Sequence, residues 1–251
     1  MRIKHSFPVS ADGLSSEGLP PIEWRHIHDT AAHQLGTAIV SGVYNPGDRL
    51  PTEMESAERM GISRSVYREA TRMLTAKGLL TSKPKAGTVV SPRASWHLLD
   101  PDVLAWSFQA GPTPDYIDNL FELRMAVEPA AAGLAARRRT QAQLETMAAC
   151  LETMRTQTLA KEAGRTADRV FHQTLLEATG NDVMISLSSG IAAAARWATE
   201  FKQRHRTLPR DPVPDHVRVW DAIRDQDSDA ARHAAVTLLL LAQEDTRQSM
   251  E

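Results

Sequence analysis

Ile62-Ser63-Arg64-Ser65-Val66-Tyr67-Arg68-Glu69-Ala70 opens a helix that has one oily side and one basic side. Ser63 can cap it through its hydroxyl, and Val66, Ala70, Met73 and Leu74 recur at the three- and four-residue steps of an α-helix running to about Lys77. Gly78 marks its end. Upstream, Thr52 caps a shorter segment running through Met60 to Gly61. Before that, Ile27, Ala31, Leu35, Ala38 and Ile39 give a first helix from about Trp24 to Val40, which Gly42-Val43-Tyr44-Asn45-Pro46-Gly47 stops. Downstream, Leu79-Leu80-Thr81 and Thr88-Val89-Val90 are β-prone runs joined by Ser82-Lys83-Pro84-Lys85-Ala86-Gly87, a hairpin with a basic tip. Three helices followed by a hairpin predict a winged helix-turn-helix over residues 24–93.

The charge distribution fits a surface that meets DNA. The 251-residue chain is nearly balanced, at −2. Between Ile62 and Arg93, however, seven basic residues face one acidic residue, a local charge of +6, and such a concentrated field is the electrostatic footprint of nucleic-acid binding. Arg64, Ser65 and Arg68 turn away from the oily side, where an arginine can take a guanine edge and Ser65 a phosphate. Lys83 and Lys85 on the hairpin would add phosphate contacts or probe the neighbouring minor groove. Isolated arginines usually mark a solvated helix face; the three helices and the wing around these favour the DNA reading.

The remainder divides into a tail, a linker and a bundle. Residues 1–23 mix Ser, Gly and Pro without an apolar run, and are read as a mobile tail without signal peptide or membrane span. One cysteine, Cys150, gives no disulfide framework, so a cytoplasmic setting is expected. Residues 94–114 carry Trp96, Leu98, Leu99, Val103, Leu104, Trp106 and Phe108, too apolar for a solvated linker, and are expected to dock on one of the domains. Over 115–247 six amphipathic helices are expected, at about 115–138, 141–162, 166–179, 182–206, 213–226 and 229–247, making an all-α bundle. The first of these has Tyr116, Leu120, Leu123, Val127, Ala130 and Leu134 as its apolar seam.

Within that bundle, Asp168 and His172 stand four apart on one helix face, and His216 precedes Trp220 and Ile223 by one and two turns. The set suits a divalent metal such as zinc, or direct hydrogen bonding to an acid. Arg124, beside the seam, needs an anionic partner, either Glu128 one turn on or a ligand.

Leu50-Pro51-Thr52-Glu53, Ser63 to Ala70, Leu74, Gly78-Leu79-Leu80 and Gly87-Thr88-Val89-Val90 together resemble the DNA-binding domain of the GntR family of bacterial regulators. The resemblance implies operator-reading roles for Arg64 and Arg68 and a wing-tip role for Gly87. Met54 stands where many members carry another DNA-contacting arginine. Phe121 to Pro129, Asp168 to His172, Asp215-His216 and Asp229-Ala230-Ala231 resemble the FCD ligand-binding domain of the FadR-type branch. By position Asp168, His172 and His216 match three metal ligands; the fourth falls at Leu238, which cannot ligate, and His233 is poorly placed to replace it. A narrower resemblance, carried by Leu98 to Trp106, Val127-Glu128-Pro129 and the missing last histidine, is to regulators of galactonate and related sugar-acid catabolism. On it Arg196 joins Arg124, Asp168, His172 and His216 as an effector-binding residue.

The resulting expectation is a homodimeric repressor that binds double-stranded operator DNA and is released by a small carboxylate. The alternatives are a metal-dependent enzyme using the Asp/His cluster and an effector-independent DNA-binding protein. Against an enzyme, no set of nucleophile, base and orienting group is visible.

Overall fold

The computed structural model describes residues 22–83, 87–205 and 210–250. The expected tail lies outside them except for its last two residues, which open helix α1 (Ile22–Val40). Helices α2 (Glu53–Met60) and α3 (Arg64–Ala76) follow. Thr52 caps α2 in a reciprocal capping box with Glu55, and Ser63 caps α3, as their sequences require. Strands β1 (Leu80–Lys83) and β2 (Gly87–Val90) pair antiparallel with Leu80 opposite Val90 and Lys83 opposite Gly87. Leu35, Ile39, Leu50, Tyr67, Leu74, Leu79, Leu80 and Val90 fill one core beneath them.

After a 3-10 turn at Arg93–Ser95, the segment expected only to dock forms a helix of its own, α4 (Pro101–Gln109). It docks on both neighbours rather than on one. Val103 and Trp106, three residues apart, enter the core of the winged part. Leu104 and Phe108, four apart, enter a second core with Ile117, Leu120, Phe121, Ala194, Ala198 and Phe201. Two adjacent stripes on one short helix therefore belong to two cores. The contact with α1 is close: a Cβ on Gly36 would stand 2.4 Å from the Trp106 ring, and the Trp106 indole donates to Nδ1 of His33 at 3.1 Å. Lys77, at the end of α3, ties the same helix by ion pairs to Asp100 and Asp102, each at 2.8 Å.

The bundle comprises α5 (Pro114–Arg138), α6 (Gln141–Gln157), α7 (Glu162–Glu177), α8 (Asp182–Ile185), α9 (Ser188–His205), α10 (Val213–Arg224) and α11 (Ser228–Arg247). Three expectations are corrected. The helix expected at 182–206 breaks after α8, where the Ser186 hydroxyl donates to the Val183 carbonyl at 2.7 Å, competing with the helical backbone pattern. The boundary near 160 shifts: α6 ends at Gln157 and α7 begins at Glu162, because Gly164 packs so close that a Cβ there would lie 1.8 Å from the Thr158 carbonyl oxygen. Third, the buried face of α5 runs through Ile117, Phe121, Arg124, Glu128, Ala131 and Ala135. Of the expected seam, only Leu120 is fully buried; Leu123, Val127 and Leu134 are half-buried flanks.

Gly36→Ala tests the joint between α1 and α4. Forcing a methyl into the Trp106 ring is expected to cost about 1–3 kcal/mol, lowering the melting temperature by a few degrees. An unchanged calorimetric melt would show that the two helices do not meet this closely.

Candidate functional sites

The first site is the exposed face of α2, α3 and the hairpin. Arg64, Ser65 and Arg68 are all exposed there, and both arginines turn toward one carboxylate, that of Glu53 at the start of α2. Arg68 donates to it through Nη2 at 2.9 Å and Nε at 3.3 Å, and Arg64 Nε lies 3.5 Å away. The Arg68 hydrogen bond holds the Glu53 carboxyl below its usual range. Exposed ion pairs contribute little stability; the consequence here is orientation, two guanidinium groups held side by side. Met54, next to Glu53, is 64% exposed on the same end of α2.

Gly87 adopts φ +76°, a left-handed conformation that costs glycine least. A Cβ there would be 3.5 Å from the Arg49 guanidinium. Arg49, an exposed residue paired with Val89 in an isolated bridge, thus adds a cation at the wing that the sequence reading overlooked. Lys83 ends β1, and Lys85 lies outside the described residues. Lys77 belongs to the basic stretch in sequence but faces the linker, its side chain 14% exposed between Asp100 and Asp102.

The second site is a buried polar cluster where α5, α7, α9, α10 and α11 converge. Glu128 is its hub. One oxygen accepts from Arg124 Nε at 2.6 Å, the other from His172 Nδ1 at 2.6 Å. Burial opposes its charge, but Arg124 and His172 prevail and hold the carboxyl down at about 2. His216 Nδ1 donates to the Pro212 carbonyl at 2.9 Å. A carboxylate and a carbonyl only accept, so both Nδ1 atoms carry the hydrogen, and on neutral rings both Nε2 lone pairs point inward.

These lone pairs face each other at 3.4 Å. Oδ1 of Asp168 lies 3.1 Å from His216 Nε2 and 3.7 Å from His172 Nε2. Oδ2 of Asp168 accepts from the Thr199 hydroxyl at 3.1 Å. Three potential ligand atoms thus converge, a geometry that a proton on His216 Nε2 satisfies in part and a divalent cation between them satisfies for all three. Tetrahedral zinc, with bonds of about 2.0–2.1 Å, spaces its ligand atoms about 3.3 Å apart. The donor set fits a divalent ion.

Leu238, at the position of the missing fourth ligand, is 4% exposed and lines the cavity with Ala195, Ala198 and Ala242. His233 is exposed and donates to the Asp229 carbonyl at 2.7 Å, away from the cluster. Arg196, expected in the pocket, is not among the lining residues. It bonds Glu162 at 3.0 Å and lies over the Trp197 ring. The second cation of the cavity is Lys202, buried at 6% exposure; burial, partly offset by Asp168 and Asp245, pushes its ammonium down to about 8. Its position seven residues after Ala195 and three after Thr199 on α9 was the signal available in sequence.

Comparison with known proteins places both sites in a family. The model of the bacterial regulatory proteins, gntR family, matches residues 27–90, and that of the FCD domain matches 119–240. The galactonate operon transcriptional repressor of Escherichia coli K12 is 37% identical over 82% of this chain and 90% of its own. The chain belongs to the GntR family. Another relative, the Uxu operon regulator of Haemophilus influenzae, is 31% identical over 78% of this chain and 73% of its own. In fold, the chain resembles the solved structure of Lar, which controls the expression of the Listeria monocytogenes agr system, with a TM-score of 0.62 at 18% identity over 88% of this chain and 96% of that one. A GntR reader joined to an FCD domain is an effector-responsive, DNA-binding transcription regulator, not an enzyme. No described helix is long and apolar enough to cross a membrane.

Glu128→Gln keeps the shape of the hub and removes the charge that Arg124 and His172 share. Breaking a buried ionic set by neutralising one member costs about 3–5 kcal/mol, so the variant is expected to melt about 10 °C lower. A melt within about 2 °C of the parent would show that the charge of Glu128 does not hold the cluster.

Proposed function

We propose that this GntR-family regulator is a cytoplasmic homodimeric repressor, released from operator DNA by a small hydroxy acid of the aldonate type bound in the FCD cavity. The observation that carries the reading is the convergence of Asp168, His172 and His216 on one point beside two buried cations, Arg124 and Lys202. The named roles of the relatives in galactonate and uxu operons support the acid class. Pairing as a homodimer follows from the way helix-turn-helix readers occupy two half-sites.

On the DNA side, Arg64 and Arg68 are the base readers, Ser65 holds a phosphate, and Lys83, Lys85 and the wing at Gly87 flank them. On the effector side, Asp168 Oδ1 and the Nε2 atoms of His172 and His216 would hold a divalent ion such as zinc. When bound, that ion supplies Lewis acidity toward the oxygens of an acid. Glu128 fixes the His172 tautomer, and Pro212 fixes that of His216. Leu238 leaves one side of the donor set free.

The cavity volume of about 20 Å³ has room for one water or ion, not for a hydroxy acid, so the acid favours a conformation in which the wall has withdrawn. Ala198 is part of that wall and also packs in the core with Leu104 and Phe108 of α4. Displacing α9 therefore bears on the helix that shares its other stripe with the winged part.

Fluorescence anisotropy on DNA from upstream of the gene tests both halves. Aldonates, uronates and small carboxylates are titrated in turn; release by one of them is expected, and tight binding indifferent to all would remove the sensor half. Arg64→Ala is expected to lose about 1–3 kcal/mol on the operator and far less on scrambled DNA; equal loss on both would deny it a reading role. Zinc added to chelator-treated protein should bind with one ion per chain and raise the melting temperature, and no uptake would leave the cluster metal-free.

A further inference from the structure

Two cations line the effector cavity, and only one of them is discharged. Arg124 spends its charge on Glu128 at 2.6 Å, both side chains being at most 3% exposed. Lys202 has no such partner: among the described residues no hydrogen bond or ion pair within 4.0 Å involves its ammonium. The two carboxylates whose fields reach it are already engaged. Asp168 faces His216 and accepts from Thr199, and Asp245 accepts from Arg210 at 3.1 Å. Arg124 and Arg210 repel it in turn. Lys202 is 6% exposed and lines the cavity, so an ammonium held largely out of water gains by an acceptor that enters there.

The remaining wall offers none. Ala195, Ala198, Leu238 and Ala242 are apolar, and the Pro212 carbonyl is taken by His216. Thr199, one turn before Lys202 on the same face of α9, donates to Asp168 and so directs that carboxylate toward the histidines. Among the described lining residues, Lys202 is thus the cation not paired with a carboxylate.

We propose that Lys202 is the anion-binding residue of this pocket, its ammonium taking the carboxylate of a singly charged hydroxy acid. This rests on the effector reading above and adds to it a chemical rule. An ammonium without a protein counter-ion calls for a carboxylate, so a polyhydroxy compound of equal size without a carboxylate does not bind.

The test is calorimetric titration of the full-length protein with galactonate, gluconate and lactate, and with galactitol as the uncharged analogue. The parent is expected to bind one of the acids and not galactitol. Lys202→Met, of similar length without the charge, is expected to bind that acid at least about tenfold more weakly, the loss of a charge-assisted hydrogen bond. Its acid-free affinity for operator DNA should be unchanged. Lys202→Arg should recover most of the binding, which a purely structural role for the lysine would not require; Lys202→Gln replaces Lys202→Met if the latter fails to fold. Acid binding by the parent with equal binding by the neutral variant overturns the role of Lys202 and leaves the effector reading intact. No acid binding by the parent overturns both.

Discussion

A carboxylate with no access to solvent has to be matched by donors, and Glu128 meets that condition with Arg124 on its own helix and His172 across the bundle. Much of the effector half follows from this one requirement. It fixes the approach of α5 to α7, since the carboxylate reaches His172 only where those helices touch. It also places the hydrogen of His172 on Nδ1 and turns the Nε2 lone pair inward. Pro212 imposes the same tautomer on His216 through a carbonyl. The site is thus organised by groups that never face its centre, a common arrangement around metal-binding histidines.

The second constraint is mechanical. A linker of ordinary polar composition would let the two halves move independently. Here α4 contributes Val103 and Trp106 to one core and Leu104 and Phe108 to the other, while Lys77 clamps Asp100 and Asp102 beside it. Packed interiors are dense and compress little. A shift of α9 at Ala198 is consequently passed to α4 as a displacement of side chains already in contact. No separate relay is needed, only two states of α9 for which the acid has unequal affinity.

The winged half was legible because each of its elements has a signal of its own: Thr52 and Ser63 as caps, Gly61 and Gly78 as stops, Val66, Ala70 and Leu74 at helical spacing. What escaped was decided by tertiary pairing. Helix α4 is apolar on two adjacent stripes, so no polar face remained to show a period, and the segment read as a docked linker. On α5 the expected pairing of Arg124 with Glu128 holds, but their mutual bond and His172 draw both charges into the buried face, which charges ordinarily avoid. Arg196 and Lys202 are six residues apart on α9, and only the direction of the helix face separates the one paired with Glu162 from the one in the cavity.

That Leu238 stands where a fourth ligand would be is consistent with the rest of the cavity rather than a defect in it. A closed tetrahedral set of protein ligands holds an ion for structure, while an open position lets an outside oxygen reach it. With Leu238, Ala195, Ala198 and Ala242 around the opening, nothing in the wall competes with that oxygen for hydrogen bonds. In the proposed reading, an acid that enters finds polar partners in the Asp168-His172-His216 set and in Lys202, which gives it a direction in the cavity. In that same reading, because Ala198 is at once wall and core, an acid that fills the opening bears on α4 through α9.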